Sequence, residues 1–547
     1  MADISPWSIP GSSLHFSVLA AFLLIATGCI YLKYFYTDFA SIDGIPEPRG
    51  ASLFYGHLPL LGKDHATTAE HWARENSWPV LQVRLGCKRV VLLNGFQAAR
   101  DWLVTNQAST IDRPLFYTFH KVVSKTSAAT IGTNPWNERT RKQRLVVGSL
   151  TTAPAIKRLA GLIDLETSQM VHSISQQSKN GTNEVCCHLD QKRLALNIIL
   201  MFCYGKRFES IHDPLLNQIL SDAATISTFR STNVNSQDYV PHLRYLPSFL
   251  KDRKRMALAN EVRARRDKWL ADLLQEVKDQ SAAGKSSDCV AAWLLTDDAG
   301  RLTSDDVKTI LGGLVSGGFD TIATTAIAGI MYLASQDGQA VQQKAYDDIL
   351  QSYGSAQEAF REAVNNEASQ YIVAFAREVL RFYPPLHLLP PRQTIKEFTD
   401  SNGVRVPKGV MILPNCQAIN RDPATYGPGA HIFRPERWLD KDLPSAVPPP
   451  YQFAFGAGSR MCTAVNFSNR ILYAIFLRLI VSFKIRHGKD GSPCTDYVEY
   501  NRDTTAATAC AKDFNAVFEV RDQKAFEDCM RTSAESTKNV TNGIMRK

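Results

Sequence analysis

The stretch Phe455-Gly-Ala-Gly-Ser-Arg-Met-Cys462 constrains this chain more than any other. Gly456 and Gly458 permit positive φ and let the backbone lie against a flat neighbour. Arg460 offers a permanent, fork-shaped cation to an anion. The apolar run after Cys462 predicts a helix reaching about Val481. A helix N-terminus close to the cysteine favours thiolate over thiol. Thiolate, flat neighbour and anion-pairing arginine together describe a heme: iron, macrocycle and propionate. The plainer alternative is a buried structural cysteine in a turn, since the chain holds 11 cysteines and buried free cysteine is common. The spacing F-x-x-G-x-R-x-C, complete at Phe455, Gly458, Arg460 and Cys462, decides for heme.

Composition narrows the partners. The chain is 44% hydrophobic and 21% charged, with net charge +9 over 547 residues. The positive charge is spread out, without an aromatic-interleaved basic patch, so nucleic acid is excluded as a partner. A mildly basic surface suits an acidic protein or an anionic membrane. The cysteines show no C-x-x-C pair, which implies reduced thiols and a cytosol-facing body.

Phe16 to Leu32 carries no charge over 17 residues, the lower edge for a membrane-spanning helix. A cleaved signal peptide would have a shorter apolar region and a basic start. Residues 1–35 are therefore predicted to be a single transmembrane anchor, and 36–50, with its prolines, a stiff linker. Lys33 after the span favours a cytosolic body. Val80–Leu85 and Arg89–Leu93 predict a hairpin around Gly86. Segments 96–105, 155–178 and 188–204 have helical spacing, and Pro135-Trp136 opens another helix. In that helix Arg139 and Lys142 read as a solvated face. Residues 279–287 read as a polar loop. A buried helix is predicted from about Ser304 to Ser335. Inside it Gly317-Gly318 removes bulk where a ligand could approach. Asp320-Thr321 then sets an acid beside an alcohol, a pair able to relay the protons that O–O cleavage consumes. The plainer alternative is a kink, with threonine bonding back to a carbonyl. Glu378 and Arg381 share a helix face, and apolar flanks predict burial. Four prolines between Tyr383 and Arg392 force an extended path, on which His387 reads as a surface or satisfied residue. Past about Glu519 the chain turns polar, and 521–547 is predicted to be a disordered tail.

These motifs resemble those of the cytochrome P-450 family, the heme-thiolate monooxygenases. Two departures stand out: Ala464 and Ile322 occupy positions where the family pattern has glycine and a hydroxyl residue. The resemblance implies a mainly α fold with a small β region and a catalytic domain over 51–520. It implies heme b with Cys462 as axial ligand, and Phe455, Gly458 and Arg460 beside it. Trp136 and either Arg141 or Arg144, with Arg392, would serve the propionates. Glu378, Arg381 and Arg437 would form a buried structural network, and Asp320 and Thr321 the proton relay. It further implies O2, NADPH-cytochrome P-450 reductase as electron donor, membrane lipid, and a single-pass place in the endoplasmic reticulum membrane.

Phe116–Ser124, Thr130–Trp136 and Phe229–Arg244 are similar to a subgroup, the fungal phenylacetate-hydroxylase-like enzymes. That likeness implies a small aromatic substrate, an arylacetate or a cresol-like phenol, in secondary metabolism or catabolism. Phe116, Tyr117, Phe119, Phe319 and Leu389 are its candidate pocket residues, and Arg230 a candidate partner for a carboxylate. The rival expectations are a larger polyketide or terpenoid substrate, a reductase-independent heme-thiolate isomerase or dehydratase, and a non-catalytic heme module.

Overall fold

Helical periodicity dominates the chain, and the helices form as the apolar spacing dictates. The structure is a computed structural model that describes residues 11–34, 36–125, 131–233, 235–245, 253–285, 288–296, 302–440 and 452–540. Its principal helices are α1 (Gly11–Tyr34), α2 (Glu138–Leu150), α3 (Ala160–Ser178), α4 (His188–Tyr204), α5 (Pro214–Arg230), α6 (Arg253–Ala282), α7 (Ser304–Gly318), α8 (Asp320–Ala334), α9 (Gln370–Phe382), α10 (Val465–Ser482) and α11 (Gln523–Thr537). The main sheet has strands β1 (Val80–Leu85), β2 (Lys88–Leu93), β3 (Arg392–Gln393) and β4 (Met411–Pro414), in the order β1-β2-β4-β3.

The predicted hairpin forms with Leu85 opposite Lys88 and Val80 opposite Leu93. Gly86 makes its turn at φ +55, and a Cβ there would lie 2.3 Å from the Tyr239 carbonyl oxygen. β4 runs parallel to β2, and β3 pairs antiparallel with β4, Arg392 facing Ile412. That pairing fixes Arg392 at a sheet edge.

The core is built around α8 and α10, buried on nearly every side. The stretch Ser304–Ala334, which holds α7 and α8, and α10 are each long and apolar enough to cross a membrane by composition, but their burial makes them core helices. α8 and α10 meet at Gly329, where a Cβ would come within 2.4 Å of the Phe476 ring. Only glycine lets them approach so closely.

The single helix predicted over 304–335 is two. Phe319, at φ −107 and ψ −46, breaks it. Gly317-Gly318 weakens the helix there, and the Thr321 hydroxyl donates to the Gly317 carbonyl at 3.1 Å. The kink and back-bond weighed from sequence are both present. Residues 279–282 belong to α6 rather than to the predicted polar loop; 286 and 287 lie outside the described residues.

The tail is likewise corrected. The Asp522 side chain caps α11 by accepting from the Ala525 N–H at 3.0 Å. Phe526 is buried, and Ser533 donates to Asp164 at 3.0 Å, a carboxylate shared with Arg478 at 2.7 Å. A polar composition hid a narrow apolar stripe. Residues 541–547 lie outside the described residues. At the other end, α1 exposes Val18, Phe22, Leu24 and Ile25. Its apolar part, Ser17–Tyr31, is short for a span.

Candidate active site

The Phe455–Cys462 loop folds on its own backbone. Cys462 N–H donates to the Phe455 carbonyl at 2.9 Å, and Gly456 N–H to the Phe453 carbonyl at 2.7 Å. Gly456 and Gly458 take φ +71 and +57, as predicted. Their neighbours differ from the expectation. Gly456 faces a cavity, whereas Gly458 lies against protein, its would-be Cβ 2.1 Å from the Leu103 carbonyl oxygen. Gly458→Ala therefore combines left-handed strain with overlap. The expected loss exceeds about 3 kcal/mol, read as a fall in urea midpoint; an unchanged midpoint would contradict the packing.

The cavity encloses about 430 Å³ and is walled by α4, α5, α7, α8, the start of α10 and β3. Cys462 opens onto it, its sulfur accepting the Ala464 N–H at 3.4 Å. Burial pushes the Cys462 thiol up, and the Ala464 N–H and Arg144 oppose this without reversing it. The helix-terminus argument for a thiolate is thus outweighed by desolvation in the protein alone. Ala464 serves as N-cap residue of α10 and also lines the cavity.

Four guanidiniums gather near this thiol. Arg460 donates to the Asn134 carbonyl at 2.9 Å, Arg392 to Ala457 at 2.7 Å, Arg144 to Met461 at 2.8 Å and Arg113 to Pro391 at 2.7 Å. Burial lowers the pKa of Arg144, and burial followed by repulsion from neighbouring arginines lowers those of Arg113, Arg392 and Arg460: Arg392 is pushed down to about 9, by burial, Arg460 and Arg144 in turn. Arg113 feels the other three. Arg113 Nε, Arg392 Nη1 and Arg460 Nε are buried without a hydrogen-bond partner. Unsatisfied buried donors beside repelling cations call for an anion. The two carboxylates of a heme, over a facing sulfur, fit that requirement.

Several sequence-predicted residues lie elsewhere. Arg141 makes an exposed ion pair with Glu138 at 3.0 Å, so Arg144 is the arginine of this helix that reaches the cavity. Arg139 is not merely solvated; it bridges to Asp306 at 2.6 Å. Trp136 does not line the cavity, and its ring stacks 5.5 Å from the Arg460 guanidinium. Tyr117 is turned away, under Arg244 at 4.5 Å. Phe116, Phe119, Phe319, Leu389, Asp320 and Thr321 all line the cavity. Of the two readings of His387, the satisfied residue holds and the surface one does not: it is buried within 3.2 Å of the Tyr500 hydroxyl, and burial lowers its pKa to about 3. Arg113 and Arg266 were not foreseen; nothing in their spacing separates them from surface arginines.

Behind the cavity, Glu378 accepts from Arg381 at 2.9 and 2.7 Å, from Trp438 Nε1 at 2.9 Å and from the Arg434 N–H at 2.8 Å. Arg437 approaches it to 3.5 Å. Arg381 and Arg437 also donate to the carbonyls of Asn420, Ala430, Tyr426 and Gly429. The network therefore fastens α9 to the irregular segment preceding the cysteine loop.

A cysteine sulfur facing a cavity rimmed with unsatisfied guanidinium donors is what a heme-thiolate protein needs, and the geometry defines that class. The sequence model of the cytochrome P-450 family matches residues 46–499. The chain belongs to that family; it is a monooxygenase, an oxidoreductase, and its cofactor is heme b. The phenylacetate 2-hydroxylase of Emericella nidulans is 36% identical over 523 residues, covering 94% of this chain and 98% of that protein. The 3-hydroxyphenylacetate 6-hydroxylase of the same organism is 32% identical over 494 residues, 89% and 91% of the two chains. A cytochrome P-450 monooxygenase of Mycosarcoma maydis is 31% identical over 481 residues, 87% and 86%.

Proposed function

We propose that this monooxygenase hydroxylates a small aromatic substrate, an arylacetate or a simple phenol, using O2 and electrons passed from NADPH by a reductase. One observation carries the reading. The chain aligns almost end to end with two hydroxylases named for phenylacetates, and its cavity sets Phe116, Phe119 and Phe319 on the same wall system as Asp320, Thr321 and Cys462.

Heme b, when bound, supplies the redox centre at which O2 is activated. The chain's residues hold and surround it. Cys462 would supply the sulfur that holds its iron, and Arg113, Arg144, Arg392 and Arg460 would pair with its propionates. Phe116, Phe119 and Leu389 exclude water and present an apolar face to the ring of the substrate. The Thr321 hydroxyl, anchored on the Gly317 carbonyl, holds a proton at the kink between α7 and α8, and Asp320 resupplies it. The exposed apolar face of α1 supports anchorage in the endoplasmic reticulum membrane with a cytosolic body. The scattered cysteines, with no C-x-x-C pair, suit that reducing side.

The test is turnover of phenylacetate, 3-hydroxyphenylacetate and m-cresol by the purified protein with NADPH and reductase, scored as gain of one oxygen. Perturbation of the heme spectrum by bulky lipophiles alone would refute the small-aromatic reading. Thr321→Ala is expected to lower product per NADPH by about 10²-fold while NADPH oxidation continues. Equal loss of both rates would remove the relay role.

A further inference from the structure

The charged side chains on the cavity wall are unbalanced. Arg113, Arg144, Arg230, Arg266, Arg392 and Arg460 face it, against the carboxylates Asp64 and Asp320. The arginines form two groups. Arg113 feels Arg392, Arg460 and Arg144, whereas Arg230 feels Arg266 and Asp320. The propionates account for the first group. Arg230 and Arg266 make a second positive pole to which a heme has nothing to offer.

Arg230 stands at the last residue of α5 and is held in one orientation. It donates to the Ser316 hydroxyl of α7, and its guanidinium lies 5.1 Å from the Phe119 ring centroid. Burial, then Arg266, lowers its pKa to about 10, with Asp320 opposing. The group therefore stays charged at neutral pH inside a largely apolar enclosure. Arg266, on α6, spends one side of its fork on Asp267 at 2.7 Å. It is 2% exposed, and its Nη1 has no hydrogen-bond partner. A buried guanidinium nitrogen left unsatisfied beside a second cation is a place where an anion gains strongly. Ser316, which holds Arg230, lies on α7 five residues before Thr321 at the start of α8, and both residues line the same cavity.

We infer that Arg230, supported by Arg266, binds the carboxylate of the substrate and directs its aromatic ring toward Thr321 and Cys462. The inference rests on the small-aromatic reading and narrows it to anionic members: arylacetates rather than neutral phenols. Phe119 would contribute twice, stacking with the guanidinium and bordering the ligand ring.

The test titrates phenylacetate, phenylacetamide and m-cresol into the full-length holoprotein, following the heme spectrum and the heat of binding. Wild-type protein should bind the acid at least about tenfold more tightly than the amide, the least expected of a desolvated charge pair. Arg230→Gln should erase that preference, leaving amide and cresol binding unchanged, and Arg230→Lys should restore part of it. Equal binding of acid and amide by wild-type protein, a comparison that needs no variant, would overturn the assignment. So would a loss common to all three ligands in Arg230→Gln. If m-cresol binds and the acid does not, only the carboxylate site falls. If none of the three binds while bulky lipophiles do, the small-aromatic reading falls with it.

Discussion

Glu378→Gln is expected to cost about 3–5 kcal/mol, because two buried arginines lose the carboxylate that compensates them. Typical domains are stable by only about 5–15 kcal/mol, so the variant should have a sharply lower urea midpoint and release heme. Glu378 and Arg381 are fully buried, and Arg437 nearly so. The pair is out of reach of bulk solvent. A midpoint within error of wild type would show that the backbone carbonyls alone satisfy the arginines.

The same residue sets an acid limit. Burial pushes the Glu378 carboxyl up, but Arg381, its hydrogen bonds and Arg437 overcome that and hold it below its ordinary value. A carboxyl depressed in the folded state stabilises above its unfolded pKa, and the contribution is lost as pH falls toward the folded value. Wild-type stability should therefore decline on the acid side, and Glu378→Gln should show a shallower decline.

Cys462→Ser is expected to reduce monooxygenase activity by about 10³-fold or more, the scale of losing a group that acts on the chemical step itself. The reduced carbon monoxide complex should at the same time lose its thiolate-type Soret band. The fold should survive, since the Cys462 backbone bond to Phe455 does not involve the sulfur. Retained activity, or an unchanged band, would move the axial ligand elsewhere and undo the site.

Much of this was legible in the sequence where one residue type alone meets a local demand. Positive φ at Gly456 and Gly458, the Gly86 hairpin and the Glu378–Arg381 pair all follow from spacing within a few positions. The reach of arginines is not local. Arg141 and Arg144 sit three apart on one helix, yet one meets solvent and the other the cavity, a difference fixed by how α2 is seated. Arg113 and Arg266 gain meaning only once distant segments converge. The break at Phe319 depends on a threonine hydroxyl competing for a carbonyl, which periodicity does not register. α11 was obscured because so few inward side chains, Ala525, Phe526, Ser533 and Thr537, dock it amid polar neighbours.

The seam at Gly329 and Phe476 has a mechanical meaning. Each of those helices begins at one half of the proposed reaction centre: α8 at Asp320-Thr321, α10 just beyond Cys462. Their separation at the seam is set by a single hydrogen atom in place of a methyl. On the proposed site, the gap between hydroxyl and sulfur is thus gauged from a joint well inside the body, like the opening of callipers, and its spacing would inherit the rigidity of the core.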